Sequence, residues 1–443
     1  MTLPGAALLS RLRPSPALAS AGITGVLLIA LIPLAVTSTI GAIITCFSVV
    51  LLIALIVLGL DRTGELFIIL GACLVPLSRL TPVDALSFIT VADAAFAVGF
   101  VLLLPYLLRN PLQLPPMFAF GVAGMLTVAL FSSLLSDQPI SSLFVLARLL
   151  VGAFGLSTFI IWWNPDRLRV VLIACAYVVG NVVSVGYALI RNEVSFEGRR
   201  IGLSEHPNVL GLCALLAVAL VPFIVTQVPR SWRWIPLGLG AVCMYGVWIS
   251  GSRAALAALI AVAVIYPVLA RSVLAGLSLI AAFTAALAFA GRLLGETSSS
   301  NALGRLLGSG SASASDQARE DLIRRTLDQF QASPILGNGL ADLLAAHVIY
   351  LQVAAALGVV GLGFYLLVLW STVSPLAVLS PPFSLLALPA LAYLLVGFVT
   401  PLLFDRYIWT VLALGLLAPR LASAAGESPS RLGQSNKVAD APA

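Results

Sequence analysis

Two kinds of side chain in this 443-residue sequence are suited to chemistry: the histidine His347 and the three arginines Arg199, Arg253 and Arg319. A neutral histidine, which ordinarily titrates at about pH 6.5, can take a proton from a hydroxyl group near pH 7. Arginine stays protonated, and its planar fork binds phosphate oxygens in pairs. This set therefore predicts a reaction in which a hydroxyl attacks and a phosphate group leaves.

Metal and cofactor chemistry is not expected at these residues. A divalent cation that neutralises a diphosphate is usually held by carboxylates, and the nine acidic residues near these arginines show no recurring ligand spacing (Glu193, Glu197, Glu205, Glu296, Asp316, Glu320, Asp321, Asp328 and Asp342). The five cysteines also lack metal-ligand spacing. We therefore predict a metal-independent site that uses no cofactor.

Four further residues are candidates for supporting roles. Arg148 lies inside a predicted apolar segment, where a charge is costly and usually faces a cavity or a partner. Arg200 follows Arg199 and is expected to be a surface cation or a lipid headgroup contact. His206 and Asn208 flank a proline suited to the first turn of a helix, so both a helix-starting role and a substrate contact stay open for them.

The composition of the chain indicates the class of protein to which these residues belong. Apolar residues make up 60% of the chain and charged residues only 9%, which is incompatible with an ordinary soluble domain. We expect no nucleic-acid partner. A membrane-spanning helix needs about 20 mostly apolar residues, and such segments predict an all-α, polytopic membrane protein with about twelve to fourteen of them. They lie near residues 21–38, 39–60, 64–79, 91–108, 117–135, 142–162, 169–190, 207–227, 234–249, 254–270, 272–291, 348–370, 383–402 and 406–419.

The distribution of arginines predicts the orientation, because short cytoplasmic loops retain positive charge. With residues 1–20 as a cytoplasmic tail, eight arginines fall on the cytoplasmic side (Arg62, Arg109, Arg167, Arg169, Arg230, Arg233, Arg271 and Arg420). Ten others fall on the outer side, where topology does not require them (Arg191, Arg199, Arg200, Arg253, Arg292, Arg305, Arg319, Arg324, Arg325 and Arg406). An anionic substrate handled outside the cytoplasm would explain this second group.

The outer side also carries the two longest predicted loops, residues 191–206 and 292–346, and long loops tend to be functional. We assign 21–291 and 347–419 to transmembrane helices and 420–443 to a disordered cytoplasmic tail. Within the larger loop, residues 316–330 have a helical pattern that places Arg319 on the apolar face, with Arg324 and Arg325 on the solvated faces. His347 stands where this loop re-enters the membrane.

Motifs between about residues 195 and 370 resemble the O-antigen ligase and Wzy-type polymerase superfamily of membrane glycosyltransferases. His347 precedes Gly358 and Gly361 at the ligase spacing, with Val348 where a polar residue is usual and Ala356 where many relatives have glutamate. The other matching motifs are, in chain order, Arg199 with Leu203, His206 to Asn208, Ser250 to Arg253, and Arg319 with Ile323, Pro334, Gly337 and Gly339.

This resemblance implies a GT-C-like fold and an active site on the outer face of the cytoplasmic membrane, beneath the 292–346 loop. It implies a glycan donor linked to undecaprenyl diphosphate, held by Arg199, Arg253 and Arg319, and an acceptor hydroxyl that His347 assists in an inverting transfer. A lipid acceptor would make the protein an O-antigen ligase, and a lipid-linked repeat unit would make it a polymerase. A membrane transporter is the alternative from another class, and the oligomeric state stays open.

Overall fold

The computed structural model describes residues 39–81, 89–195, 198–288, 302–306, 312–341, 348–400, 403 and 405–426. In this part of the chain every regular element is helical, and the sole β-bridge joins Val194 to Arg200. The all-α prediction is confirmed. The predicted tail 1–20, the first predicted span 21–38 and His347 lie outside the described residues.

The helices follow the predicted spans closely. In chain order they are α1 (Thr39–Leu58), α2 (Leu60–Leu74), α3 (Val91–Leu107), α4 (Pro116–Leu134), α5 (Pro139–Trp163), α6 (Arg167–Arg191), α7 (Pro207–Gln227), α8 (Trp234–Ile249), α9 (Arg253–Leu269), α10 (Val273–Ala288), α11 (Ala302–Leu306), α12 (Ala312–Ala332), α13 (Ile349–Val373), α14 (Pro375–Val378), α15 (Leu388–Val396) and α16 (Arg406–Ala424). A π-helical turn, Leu150–Gly155, interrupts α5, and 3-10 turns precede α8 and α15.

Six described helices are long and apolar enough to cross a membrane, namely α4, α5, α6, α7, α13 and α16. Helices α3, α9 and the segment Phe383–Val396 are apolar but shorter. This is the architecture of a polytopic membrane protein. The total of twelve to fourteen spans remains a prediction.

The chain divides into two compact units, Met1–Phe67 with Val98–Tyr106, and Ile68–Ala97 with Leu107–Ala443. In the smaller unit, α2 and α3 approach closely at Gly64, where a Cβ atom would lie 2.8 Å from the Leu103 side chain. All the candidate site residues that the structure describes belong to the larger unit.

Helix α7 is the centre of the larger unit. It packs against α6, α8, α9, α15 and α16, and 78% of its most apolar 18-residue stretch is buried. A second close packing joins α4 to α13, where Gly124 faces the ring of Phe364 and leaves no room for a Cβ atom. Because α7 runs through the middle, the loops at its two ends are held by the whole bundle.

Two predicted boundaries are wrong. Helix α16 continues to Ala424, so residues 420–424 do not belong to a disordered tail. Arg420 hydrogen-bonds the backbone oxygen of Ile161 at 3.4 Å and the side chain of Asn164 at 3.3 Å, and Ala422 is buried. Within the predicted span 383–402, the helix ends at Val396, and Val399 and Thr400 contribute to the site below.

Candidate anion-binding site

Four arginines converge at one end of the larger unit. Arg199, Arg253, Arg305 and Arg319 line a single pocket together with Asn208, the Gly251–Ala254 backbone segment, Val399 and Thr400. We call this the arginine pocket. The structure thus brings together the three arginines selected from sequence, and none of the described residues that line the pocket is acidic.

Arg199 is fixed in the pocket although it lies in a loop. Its side chain is only 4% exposed, and its Nε donates to the backbone oxygen of Ser250 at 2.9 Å. Its Nη2 donates to the Asn208 side-chain oxygen. The loop itself is anchored because Ser184 on α6 accepts from the Leu203 amide at 3.1 Å. These hydrogen bonds fix the position of the buried guanidinium at the wall of the pocket.

The turn formed by Ser250, Gly251 and Ser252 places Arg253 at the start of α9. Gly251 has a φ of 64°, which favours glycine, and the Ser252 side chain caps α9 by accepting from the Ala255 amide at 3.4 Å. The backbone at the helix start also lines the pocket, so the positive end of the α9 dipole adds to the arginine charges.

Close packing against α7 holds this turn in place. A Cβ atom on Gly211 would lie 2.6 Å from the Ser250 hydroxyl and 2.8 Å from the Ser252 Cβ. Only glycine allows the helix to approach the turn so closely. Helix α7 therefore positions Asn208 and the Ser250–Ser252 turn at the same time.

Arg319 lies on α12, where the predicted two-faced pattern is confirmed. Thr326 is 1% exposed, and Arg319, Leu322 and Ile323 are half-buried on the same side. Arg324 is exposed and pairs with Glu320 at 2.6 Å. Helix α12 packs against α13, so its polar face points outward while Arg319 lies inward at the pocket.

Arg305 is a site residue that the sequence interpretation missed. The sequence places Arg305 among the outer arginines, but no motif includes it, so the sequence alone does not mark it as a site residue. In the structure it lies on the short helix α11, which packs against α8 and α9, and it is only 2% exposed. The surplus of outer-face arginines was the only signal in the sequence that pointed to it.

The pocket is tightly closed around its charges. The cavity between the four arginines has a volume of about 10 Å³, the space of a single water molecule. Positive charges this close repel one another, particularly where surrounding protein lowers the dielectric constant. The arrangement favours binding an anion, and a ligand as large as a diphosphate requires the walls to separate.

The supporting candidates fall mostly outside the pocket. His206 caps α7, with its Nδ1 accepting from the Asn208 amide at 3.1 Å, which favours the helix-starting role. Arg200 donates to the backbone oxygen of Ala188 at 3.3 Å and does not line the pocket. Arg148 is exposed on α5 and lies near Asp405 rather than among the pocket residues. Only Asn208 of this group lines it.

Three of the four motif glycines lie at one backbone contact between α13 and the loop after α12. Gly358 breaks α13 with a φ of 66°, and a Cβ atom there would lie 2.0 Å from the Ile335 backbone oxygen. A Cβ atom on Gly337 would lie 2.2 Å from the Ala356 backbone, and the Gly339 amide donates to the Ala356 oxygen at 3.0 Å. These three glycines join the loop after α12 to the interior of α13, whereas Gly361 lies against Leu357, one turn earlier in the same helix.

The chain just after His347 is tied to the pocket segment. The Ile349 amide donates to the Gly397 oxygen at 2.8 Å, and the Tyr350 hydroxyl donates to the Leu394 oxygen at 2.7 Å. Val399 and Thr400, which follow Gly397, line the pocket. The described start of α13 and the pocket are thus held by the same short segment.

Neither a metal site among the described residues nor a known relative indicates the function of this protein. Among the described residues, no three His, Cys, Asp or Glu side chains lie close enough to hold a metal ion. No known protein family matches the chain, and no curated protein matches it significantly. A functional conclusion therefore has to come from the arginine pocket itself.

Proposed function

We propose that this protein is a membrane glycosyltransferase that transfers a glycan from an undecaprenyl-diphosphate donor to an acceptor hydroxyl. The observation that carries the proposal is the arginine pocket, in which four arginines and the start of α9 converge and none of the described lining residues is acidic. Developing charge on a leaving diphosphate needs such preorganised donors. The proposed architecture is GT-C-like, with about twelve to fourteen spanning helices.

Each arginine has a distinct place in this mechanism. Arg199 and Arg253 belong to the fixed framework around α7 and α9, whereas Arg305 and Arg319 belong to the region between α10 and α13. We assign the diphosphate to the space between these two pairs. Separation of the pairs would admit the ligand, and the ligand charge would then hold them together.

His347 is proposed to serve the acceptor. The acceptor hydroxyl attacks the anomeric carbon, the bond from that carbon to the diphosphate oxygen breaks, and His347 takes the hydroxyl proton. Attack opposite the leaving group inverts the anomeric centre. The support for placing His347 here is that Ile349, two residues later, bonds the segment that contributes Val399 and Thr400 to the pocket.

The pocket is proposed to face the non-cytoplasmic side of the cytoplasmic membrane. It gathers the loops between α6 and α7 and between α8 and α9, whereas the arginines predicted to be cytoplasmic flank the opposite ends of these helices, as Arg167 and Arg230 do. The positive-inside rule assigns those opposite ends to the cytoplasm. A lipid-linked donor would then enter from the membrane beside the pocket.

The same pocket favours a transferase over a carrier. Transporters place substrate sites near the middle of the bilayer, at broken helices, whereas most residues of this pocket lie in loops or at the first turns of α7 and α9, and Arg305 and Arg319 lie in the segment between α10 and α13. Ligase and polymerase differ only in the acceptor. We favour an O-antigen ligase-like activity, with polymerisation of O-antigen, capsule or exopolysaccharide as the alternative.

The test is the size distribution of glycans on undecaprenyl diphosphate in cells that lack this protein. Accumulation of long carrier-linked chains supports a ligase, and accumulation of single repeat units supports a polymerase. An unchanged distribution, at confirmed loss of the protein, overturns the proposal.

A further inference from the structure

A groove at the other end of α7 is separate from the arginine pocket. It lies between α6, α7 and α8 and has a volume of about 380 Å³. Its walls are almost entirely apolar, formed by Cys175, Val178, Ile224, Val228, Pro229, Trp232, Ile235, Pro236 and Leu239. We call it the α6–α8 groove. Its size is in the range of ligand pockets, about 300 to 1,000 Å³.

Two arginines adjoin residues that line this groove at its exposed end near Trp232, which we call its mouth. Arg230 and Arg233 flank Trp232, which lines the groove and is 59% exposed. Arg230 is exposed. The Nε of Arg233 is buried and has no hydrogen-bond partner among the described residues. A buried donor left without an acceptor is costly, so an acceptor supplied by a ligand would stabilise Arg233.

The exposed tryptophans indicate where the mouth lies in a bilayer. Trp232 and Trp234 are 59% and 69% exposed, and tryptophan is enriched at the membrane interface. From this level the groove extends to Val178, eleven residues along α6 from Arg167, or about 16 Å at 1.5 Å per residue. That depth is about half of the roughly 30 Å hydrocarbon core, so the groove occupies about one leaflet.

We propose that the α6–α8 groove binds an anionic phospholipid, with one acyl chain in the apolar groove and the headgroup phosphate on Arg230 and Arg233. Three observations converge on this ligand: the apolar walls, the paired cations at the mouth and the unpaired Arg233 donor. The charge rule assigns this end to the cytoplasm, where the leaflet carries anionic lipids.

The lipid site would lie opposite the arginine pocket. Helix α7 begins with Asn208 at that pocket and contributes Ile224 to the groove, and its 21 residues span about 32 Å. The two ends of one central helix would thus contact anions in opposite leaflets. The inference does not depend on the transferase proposal, because no residue is shared between the two sites.

The experiment measures lipid retained by the full-length purified protein after delipidation and re-addition of equal phosphatidylglycerol and phosphatidylcholine. Native mass spectrometry should show one phosphatidylglycerol per chain, preferred over phosphatidylcholine by at least about fivefold. The Arg230→Gln/Arg233→Gln variant should lose this preference. The matched control, Arg62→Gln/Arg109→Gln, removes two exposed arginines predicted on the same side and should retain it.

A second variant tests the acyl-chain part of the site. Cys175→Phe fills part of the groove at its α6 wall without changing charge, and it should reduce phosphatidylglycerol retention at least about threefold while the protein stays folded. Equal retention in the wild type and both groove variants overturns the proposal. Displacement of phosphatidylglycerol when an equal amount of undecaprenyl phosphate is added also overturns the proposal. A wild-type dimer that the groove variants convert to monomer overturns it as well.

Discussion

Arg199 donates from Nε to the backbone carbonyl oxygen of Ser250 at 2.9 Å, across 51 residues of sequence. This bond ties the loop after α6 to the turn before α9, and Asn208 at the start of α7 accepts from the same guanidinium. The position of one arginine therefore depends on three helices. Preorganisation of this kind allows charged groups to stabilise a developing anion without rearrangement during the reaction.

In the arginine pocket, we expect the planar shape of the guanidinium groups to matter for glycan transfer as much as their charge. Arg253→Lys, Arg305→Lys and Arg319→Lys each keep a positive charge but lose paired contact with phosphate oxygens. We expect each to reduce glycan transfer roughly ten- to a hundredfold, measured with purified protein in vesicles that contain lipid-linked donor. Arg324→Lys is the matched control, since Arg324 is exposed and pairs with Glu320, and it should keep near-normal transfer.

Arg305 tests the pocket independently of the sequence motifs, because it lines the pocket without belonging to any of them. Full activity of Arg305→Lys together with impaired Arg253→Lys and Arg319→Lys would restrict the phosphate site to the motif arginines. Full activity in all three variants would reject bidentate phosphate binding.

We expect different phenotypes from substitutions at the two histidines of the chain. His347→Ala should reduce transfer by at least about a hundredfold, because general acid and base groups contribute about 10² to 10⁴, while protein abundance stays normal. His206→Ala should instead remove the cap on α7 and cost about 1 kcal/mol of stability, measured as a lower unfolding midpoint. His206→Asn, which can restore the cap, should recover that midpoint.

A reversed pattern would contradict these assignments. Unchanged transfer by His347→Ala at normal abundance would remove its catalytic role. A large loss of transfer in a stable His206→Asn protein would instead place His206 at the substrate.

Gly337 faces the Ala356 backbone and Gly358 faces the Ile335 backbone, so we expect alanine at either position to lower the stability of the protein. Gly337→Ala and Gly358→Ala each place a Cβ within about 2 Å of opposing backbone, at a positive φ. We expect each to cost about 2 to 5 kcal/mol, since left-handed backbone costs about 1 to 2 and overpacking about 1 to 3. Gly363→Ala, with nothing within 4 Å of the added atom, is the control. Thermal unfolding in detergent should lower the midpoint of the first two only, and equal midpoints would refute these contacts.

Asp405 predicts a pH dependence of stability. Burial raises the pKa of its carboxyl from an ordinary 3.8 to about 6, although Tyr407, Arg406 and Arg148 favour the ionised form and Glu205 opposes it. The folded protein therefore holds this proton more tightly than the unfolded chain. The resulting stabilisation is complete below about pH 3.8 and is lost as the pH rises through about 6.

Asp405→Asn should remove this dependence. At pH 7 the variant should be more stable than the wild type, on the order of 1 kcal/mol, and the difference should shrink at pH 5. Unfolding midpoints at the two pH values provide the measurement. The exposed Asp321→Asn is the control, and a parallel pH response of wild type and Asp405→Asn would exclude Asp405 as the source.

The sequence by itself determined the helices and much of the candidate site. Hydrophobic runs and local periodicity depend only on neighbouring residues, so the spans and the inward face of α12 could be predicted without a structure. The motif resemblance selected Arg199, Arg253 and Arg319. The positive φ values at Gly337, Gly339 and Gly358 likewise correspond to motif glycines, because glycine adopts that backbone most easily.

Only the tertiary structure decided which residues meet. Arg305 joins the pocket, whereas Arg200 and Arg148 do not line it, because the packing of α11 on α8 and α9 and of α7 on its neighbours joins residues far apart in sequence. Val399 and Thr400 reach the pocket because α15 ends early at Val396. The α6–α8 groove also depends on three helices. Such contacts are set by how whole helices fit together, and side-chain types along one helix carry little information about that fit.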